Sequence, residues 1–129
     1  MELLTIVSLL AVIQFVVFGA LVGAARGRSG LKAPAVTGDE QFERYFRVHY
    51  NTLEQLVEFL PGLWAFGLLI NVPAAAGLGL VYLVGRLVYF RAYVADPATR
   101  GIGMLLSAMP SHILLLGGLG AAIWRLVPH

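Results

Sequence analysis

The chain has 129 residues, of which 59% are hydrophobic and only 12% carry a charge, and its mean hydropathy is +0.82. Soluble domains usually contain about 25% charged residues, so this composition excludes an ordinary soluble fold and indicates an integral membrane protein. The absence of cysteine excludes a disulfide framework, a thiolate metal site and a cysteine nucleophile. The net charge of +2 comes mainly from predicted loops, where it indicates membrane orientation and not nucleic-acid binding.

Three stretches without any charged residue, 3–25, 59–85 and 101–124, predict the helices. A membrane-spanning helix needs roughly 20 apolar residues, so the first and third stretches each fit one span. The middle stretch contains Asn71-Val-Pro73, a turn signal that divides it between two spans. We therefore predict an all-α integral membrane protein, a four-transmembrane-helix bundle that forms a single domain over residues 1–129. The predicted spans are approximately residues 3–25, 44–70, 74–95 and 98–126.

The ends of these helices carry recognisable signals. The first helix lacks the basic N-terminal region of a signal peptide, so we expect it to be retained. After the loop 27–43, Asp39 is the expected N-cap of a helix that begins near Glu40. Asp96-Pro97 has the residue types of a helix start, which predicts that Arg100 lies in the first turn of the fourth helix.

Basic residues concentrate in two of the three connections. The first connection carries Arg26, Arg28, Lys32 and Arg44, and the third carries Arg91 and Arg100. The second connection and the N-terminus carry none. The positive-inside rule therefore predicts that the 1–2 and 3–4 loops are cytoplasmic and that both termini lie outside.

Helices 2 and 3 carry polar residues at the same helical spacing of i, i+4, i+7 and i+11. On helix 2 they are Arg47, Asn51, Glu54 and Glu58, and on helix 3 they are Tyr82, Arg86, Tyr89 and Tyr93. This spacing places each set on one helix face. Ionisable groups inside a membrane are expensive and indicate a functional site by default. Both sets approach the cytoplasmic end, where Arg26 and Arg100 are also expected.

The residue types at this end predict a particular ligand. Arginines bind carboxylates through paired, charge-assisted hydrogen bonds, a carboxylate binds an ammonium group, and tyrosine hydroxyls bind other polar ends. A small ligand with two carboxylates and one amine fits, and glutathione has these groups. Because no protein nucleophile is evident, the ligand's own thiol, held as a thiolate against an arginine, would attack a lipophilic electrophile from the bilayer.

Structural roles are the alternative for the same residues. A buried Glu54–Arg86 ion pair would join helices 2 and 3, and Tyr89 and Tyr93 would belong to an interfacial aromatic belt. Glu58 is either a second acid of the site or a partner between helices. His112, in the middle of helix 4, is expected to be a structural hydrogen-bonding residue. The three histidines lack metal-ligand spacing, so no metal site is predicted.

The motifs resemble those of the MAPEG family of membrane glutathione-dependent proteins. They are Phe42-Glu-Arg44, Arg47-x-His49-x-Asn51-x-x-Glu54, Gly85-Arg86-x-x-Tyr89-x-x-x-Tyr93 and Arg100. The resemblance extends from the end of helix 1 to the start of helix 4. Gly27 and Gln55 depart from the leukotriene C4 synthase pattern of this family, so leukotriene synthesis is not expected.

The resemblance implies a homotrimer that binds glutathione as co-substrate between neighbouring subunits, near the cytoplasmic face. The implied glutathione-binding residues are Arg26, Arg47, His49, Asn51, Glu54, Arg86, Tyr89 and Tyr93. Arg100 is implied to be catalytic, because it matches the position that holds the thiolate. The expected activity is a glutathione transferase for detoxification of hydrophobic electrophiles, with peroxidase activity toward lipid hydroperoxides as an addition. The short chain without cysteine indicates a bacterial member, expected in the inner membrane.

Two other classes of function remain open at this stage. A non-catalytic scaffold that binds glutathione or lipid would use the same cleft without thiolate chemistry, and it would bind glutathione without turnover. A small transporter or channel subunit would use the Arg/Glu line for ion passage, and it would conduct ions in liposomes without glutathione.

Overall fold

The computed structural model describes residues 1–129 as four α-helices without any β-strand. The helices are α1 (Glu2–Ser29), α2 (Glu40–Leu69), α3 (Val72–Ala95) and α4 (Gly101–Leu126). This architecture confirms the predicted all-α four-helix bundle. Helices α1, α3 and α4 are long and apolar enough to cross a membrane. Helix α2 packs against all three of them, and charged residues in its first half make it the least apolar helix of the bundle.

The helix ends follow the local signals with one exception. Asp39 accepts a hydrogen bond from the Phe42 amide at 2.8 Å, and Asn71 accepts one from the Ala74 amide at 2.8 Å, which confirms the predicted cap and turn. The prediction for α4 is wrong by one turn. Asp96 caps a short 3-10 helix, Pro97–Thr99, because its Oδ1 accepts a hydrogen bond from the Ala98 amide at 3.1 Å, and the Thr99 amide bonds back to the Asp96 carbonyl at 2.9 Å. Arg100 therefore immediately precedes α4 and does not lie in its first turn.

Hydrogen bonds between helix ends show which ends lie together. Arg44, at the start of α2, donates to the carbonyls of Val94 and Ala95 at the end of α3 (3.1 and 3.0 Å). At the other end of the bundle, Arg125 of α4 donates to the Leu69 carbonyl of α2 at 3.1 Å. Helices α2 and α4 therefore run in the same direction, opposite to α3. The starts of α2 and α4 meet the end of α3 at what we call the basic end.

Close packing at glycines brings α4 against its neighbours. A Cβ added to Gly62 of α2 would lie 2.8 Å from the Leu115 amide of α4, and one added to Gly85 of α3 would lie 2.7 Å from the Ser107 amide. Near the basic end, a Cβ on Gly103 would overlap the backbone of Tyr89. Membrane helices associate largely through such small residues, because lipid provides no hydrophobic force between them.

Substitution of Gly103 tests this packing. Gly103→Ala forces α3 and α4 apart at Tyr89, and overpacking of this kind destabilises a protein by about 1–3 kcal/mol. The expected result is a lower thermal unfolding midpoint of the detergent-solubilised protein. Gly101→Ala is the matched control, because a Cβ there meets no atom within 4 Å. Equal midpoints for the two variants would contradict the described packing.

Candidate functional site

A cleft of about 270 Å³ opens at the basic end between α2, α3 and α4. This volume is just below the range of typical ligand pockets, roughly 300–1,000 Å³. The lining residues are Arg47, Tyr50, Asn51, Glu54, Tyr89, Tyr93, Arg100 and Met104. Six of the nine predicted site residues are in this list, namely Arg47, Asn51, Glu54, Tyr89, Tyr93 and Arg100. The two polar helix faces and the start of α4 therefore meet in one cleft.

The charged groups of the cleft are exposed and form no ion pair with each other. Arg47, Glu54 and Arg100 all have exposed side chains, and none of them takes part in a salt bridge. Arg100 donates one hydrogen bond to the Pro97 carbonyl at 2.9 Å, which steadies its guanidinium and leaves its other donors free. Two guanidinium groups and one carboxylate are therefore available to an incoming ligand.

Arg86 lies behind the cleft wall, fully buried, and does not line the cleft. Its Nη2 donates to Asn51 Oδ1 at 2.8 Å and to Thr52 Oγ1 at 2.9 Å, and its Nη1 lies 3.4 Å from Ser107 Oγ. The guanidinium carbon also lies 4.4 Å from the centre of the Tyr89 ring. Arg86 therefore orients Asn51 and Tyr89, two residues of the cleft.

The suggested Glu54–Arg86 ion pair is not formed. Glu54 is exposed on the cleft side of α2, whereas the Arg86 guanidinium points to Asn51 and Thr52. That structural alternative is wrong for this pair, because Arg86 obtains its partners from neutral oxygens. The Glu54 carboxylate has no ion-pair partner within the chain.

Arg26 and His49 lie away from the cleft. The Arg26 guanidinium is 4.5 Å from the centre of the Phe42 ring and donates to the Ala35 carbonyl at 2.7 Å. The His49 ring stacks on Phe15 of α1 with centroids 4.3 Å apart. His49 follows Arg47 by two residues, and helix positions i and i+2 do not share a face. Both residues therefore belong to the α1–α2 side of the bundle.

Four residues of this region were not predicted from the sequence: Tyr50 and Met104, which line the cleft, and Thr52 and Ser107, which hold Arg86. Tyr50 lies three residues after Arg47 and four before Glu54, and Met104 lies four residues after Arg100. Because helix positions three or four apart are neighbours, this spacing could have predicted that Tyr50 and Met104 lie in the site. Thr52 and Ser107 gave no comparable signal, because hydroxyl side chains in membrane helices commonly bond their own helix backbone.

The arrangement suits recognition of an anionic ligand that also carries an ammonium group. Arginine binds a carboxylate through two parallel hydrogen bonds, and charge-assisted bonds of this kind are about twice as strong as neutral ones. The hydroxyls of Tyr50, Tyr89 and Tyr93 add further polar groups to the cleft. No group of three or more His, Asp or Glu side chains is placed to hold a metal ion.

Comparison with known proteins identifies the family. The sequence model of the MAPEG family matches residues 4–120. This chain belongs to the MAPEG family. Among its relatives, human microsomal glutathione S-transferase 2 is 40% identical over 121 residues, covering 93% of this chain and 82% of the human protein. Bovine leukotriene C4 synthase is 37% identical over 119 residues, covering 92% of this chain and 79% of the bovine protein.

A bacterial relative is also present. An uncharacterized protein of Synechocystis is 43% identical over 121 residues, covering 94% of this chain and 88% of that protein. The match to MAPEG confirms the resemblance found in the motifs. Together with three apolar helices, it shows that this chain is a membrane protein of a glutathione-related enzyme family.

The hydrogen bonds of Arg86 yield a stability prediction. Thr52→Val keeps the side-chain shape but removes one of the two oxygens bound by Arg86 Nη2, which destabilises the protein by about 1–2 kcal/mol. The thermal unfolding midpoint of this MAPEG protein in detergent should fall accordingly. Thr5→Val is the control, since the Thr5 hydroxyl bonds only the exposed Met1 carbonyl. An unchanged midpoint for Thr52→Val would show that Arg86 does not depend on that bond.

Proposed function

We propose that this MAPEG protein is a membrane glutathione transferase that joins the glutathione thiolate to a lipophilic electrophile. The observation that carries the proposal is the cleft at the basic end, in which Arg47, Glu54 and Arg100 are exposed and free of ion pairs. Those groups complement the carboxylates and the ammonium of glutathione. The glutathione transferases among the relatives support the same reading.

Each residue of the cleft has its own role in this proposal. Arg47 binds a glutathione carboxylate, Glu54 binds the ammonium group, and Asn51, held by Arg86, binds the peptide part. Tyr89 and Tyr93 hold the remaining polar ends. Arg100 acts as the catalytic residue, because a guanidinium beside the thiol favours the thiolate and thus the nucleophile. The thiolate attacks the electrophilic carbon and the leaving group departs. Toward lipid hydroperoxides, the thiolate attacks the outer peroxide oxygen and the lipid leaves as its alcohol after taking a proton, and a second glutathione converts the resulting sulfenic acid to glutathione disulfide and water.

The second substrate reaches the cleft from the bilayer. Large apolar side chains around the cleft are exposed, among them Leu53 and Val57 on α2 and Ile102 and Leu105 on α4. In a membrane these surfaces contact acyl chains. A hydrophobic electrophile therefore arrives beside the thiolate without passing through water.

A neighbouring subunit completes the site in this proposal. Arg26 and His49 match the family's glutathione-binding positions but lie on the α1–α2 side of their own chain. In a homotrimer, the α1–α2 side of one subunit faces the cleft of the next and supplies these two residues. Three predicted residues lie outside the cleft of their own chain. This arrangement accounts for Arg26 and His49, whereas Arg86 is buried behind the cleft wall.

The same proposal places the protein in a bacterial inner membrane as a single domain over residues 1–129. The basic 1–2 and 3–4 loops are cytoplasmic and both termini lie outside, as the positive-inside rule requires. The cleft then opens toward the cytoplasm, where soluble glutathione has access to it.

Substitution of Arg100 tests whether its guanidinium stabilises the glutathione thiolate. Arg100→Ala should lower the rate of conjugation to chlorodinitrobenzene by about 100-fold or more, as expected for loss of a group that stabilises the reacting charge. The ultraviolet absorbance of bound thiolate should disappear at neutral pH, whereas Arg100→Lys should retain part of it. The control is Arg91→Ala, an exposed arginine of α3 outside the cleft.

Other results would favour other functions. An unchanged conjugation rate in Arg100→Ala would show that Arg100 is not the catalytic residue. Glutathione binding by the unmodified protein without turnover of several electrophiles would indicate a scaffold, and glutathione-independent ion flux in liposomes would indicate a transporter subunit.

Mixed oligomers test whether subunits share the site. Arg26→Ala and Arg100→Ala subunits are co-expressed with different tags, and the mixed oligomers are purified through both tags. If neighbours share the site, each mixed trimer pairs an intact Arg26 with an intact Arg100 at about one third of its sites, so activity returns. If each chain builds its own site, the mixture shows only the average activity of the two variants. Oligomers of either variant alone are the controls.

A further inference from the structure

A second polar cavity lies at the basic end, between the end of α1 and the start of α2. Its volume is about 160 Å³, and we call it the α1–α2 cavity. The lining residues are Ala25, Arg28, Ser29, Asp39 and Gln41, and none of them lines the cleft. The proposed transferase reaction therefore makes no use of this cavity.

One cation and one anion line the α1–α2 cavity without pairing with each other. Arg28 is exposed and takes part in no salt bridge, and its guanidinium carbon lies 5.6 Å from the centre of the Tyr45 ring. Asp39 also lies outside every salt bridge. Its Oδ2 accepts the hydrogen bond of the Phe42 amide, so its Oδ1 is left for a ligand. Two opposite charges in one small cavity favour a ligand that itself carries both charges.

The length of α1 places this cavity at the level of the lipid headgroups. The 28 residues of α1 extend about 42 Å, and a bilayer with both headgroup layers is about 40–45 Å thick. The uncharged part of α1 ends at Ala25, and Arg26 and Arg28 follow it. Arg28 therefore lies in the layer that contains the phosphate groups of phospholipids.

An apolar cavity of about 290 Å³ lies farther along α1, against α3. Apart from Gln14, all of its lining residues are apolar: Leu10, Ile13, Val17 and Phe18 of α1, and Leu83 and Leu87 of α3. Val17 precedes Arg28 by eleven residues, and Ile13 and Leu10 continue the same helix face at intervals of four and three.

This face of α1 offers a path for an acyl chain. Leu10, Ile13 and Val17 are exposed, as is Ala24 between Val17 and Arg28. Val17 lies about 16 Å from Arg28 along the helix, which matches half of a hydrocarbon core about 30 Å thick. A lipid whose headgroup is held at Arg28 can therefore place the end of one acyl chain at the apolar cavity.

We propose that the α1–α2 cavity binds the headgroup of phosphatidylethanolamine, with one acyl chain along α1. The Arg28 guanidinium donates hydrogen bonds to the phosphate, an anion that arginine binds well. The ammonium group donates to Asp39 Oδ1 and to the side-chain oxygen of Gln41, which is exposed at the cavity. This lipid site is independent of the transferase proposal.

The charges of the cavity distinguish this lipid from other phospholipids. The choline group of phosphatidylcholine has no N–H hydrogen and cannot donate to Asp39. Phosphatidylglycerol has no cation, so its phosphate would lie near an unpaired Asp39 carboxylate. Both lipids retain the contact with Arg28, and therefore Asp39 is the residue that sets the preference.

Displacement of a labelled lipid tests this inference. A phosphatidylethanolamine with a fluorescent acyl chain is bound to the full-length protein in detergent and displaced by unlabelled lipids with matched acyl chains. Phosphatidylethanolamine should bind about tenfold more tightly than phosphatidylcholine or phosphatidylglycerol, as expected for one hydrogen bond between charged groups. Glycerophosphoethanolamine, which has the headgroup without acyl chains, should displace the probe far less effectively.

Two charge-removing variants, each with a matched control, locate the headgroup. Asp39→Asn keeps the helix cap, because asparagine caps as well as aspartate, and should abolish the preference over phosphatidylglycerol. Its control is Asp96→Asn, since Asp96 also caps a helix at the basic end but lines no cavity. Arg28→Gln should weaken binding of both lipids about tenfold. Its control is Lys32→Gln, an exposed cation of the same loop that lines no cavity.

Four results would overturn the inference. Equal affinity for the three phospholipids, or a preference that survives in Asp39→Asn, would show that the cavity does not read the ammonium group. Equal losses in Arg28→Gln and Lys32→Gln would indicate general attraction to a basic loop. Displacement by glycerophosphoethanolamine as effective as by the lipid would indicate a soluble phosphate ester as the ligand. The assay contains no glutathione, so its outcome is separate from that of the Arg100 experiments.

Discussion

The buried guanidinium of Arg86 is the interaction on which the rest of the site depends. A cation inside a membrane bundle is tolerated only when hydrogen bonds replace its water. Arg86 of α3 obtains its partners from α2, through Asn51 and Thr52, and from α4, through Ser107. These hydrogen bonds therefore form only when the three helices are assembled, and their assembly places Asn51 and Tyr89 in the cleft wall.

Small residues determine how closely the helices pack around Arg86. Gly85 and Gly103 bring α3 against α4 beside Arg86, and Gly62 brings α2 against α4 deeper in the bundle. The contacts beside Arg86 fix the wall of the cleft at the basic end.

The residues that the MAPEG resemblance assigns to glutathione binding lie on two sides of a single chain. The cleft contains two of the predicted arginines, the predicted Glu54 and two of the predicted tyrosines, whereas Arg26 and His49 occupy the other side of the bundle. This separation follows from helix geometry, because Arg47 and His49 are two residues apart and cannot point the same way. In the function that we propose, assembly of identical subunits brings these two sides together.

Much of the fold was determined by the sequence alone, because a helix in a membrane must satisfy its backbone within itself. The uncharged stretches, the caps at Asp39 and Asn71 and the polar face of α2 are local features, and the structure bears them out. The short 3-10 turn before α4 was missed, since its hydrogen bonds compete closely with those of an α-helix. Tertiary structure alone decided that Arg86 turns inward to hydroxyl and amide oxygens, that Glu54 stays unpaired and that Glu58 meets His112. The physical reason is that spacing along a helix defines which residues share a face, whereas the partner of that face depends on how the helices pack.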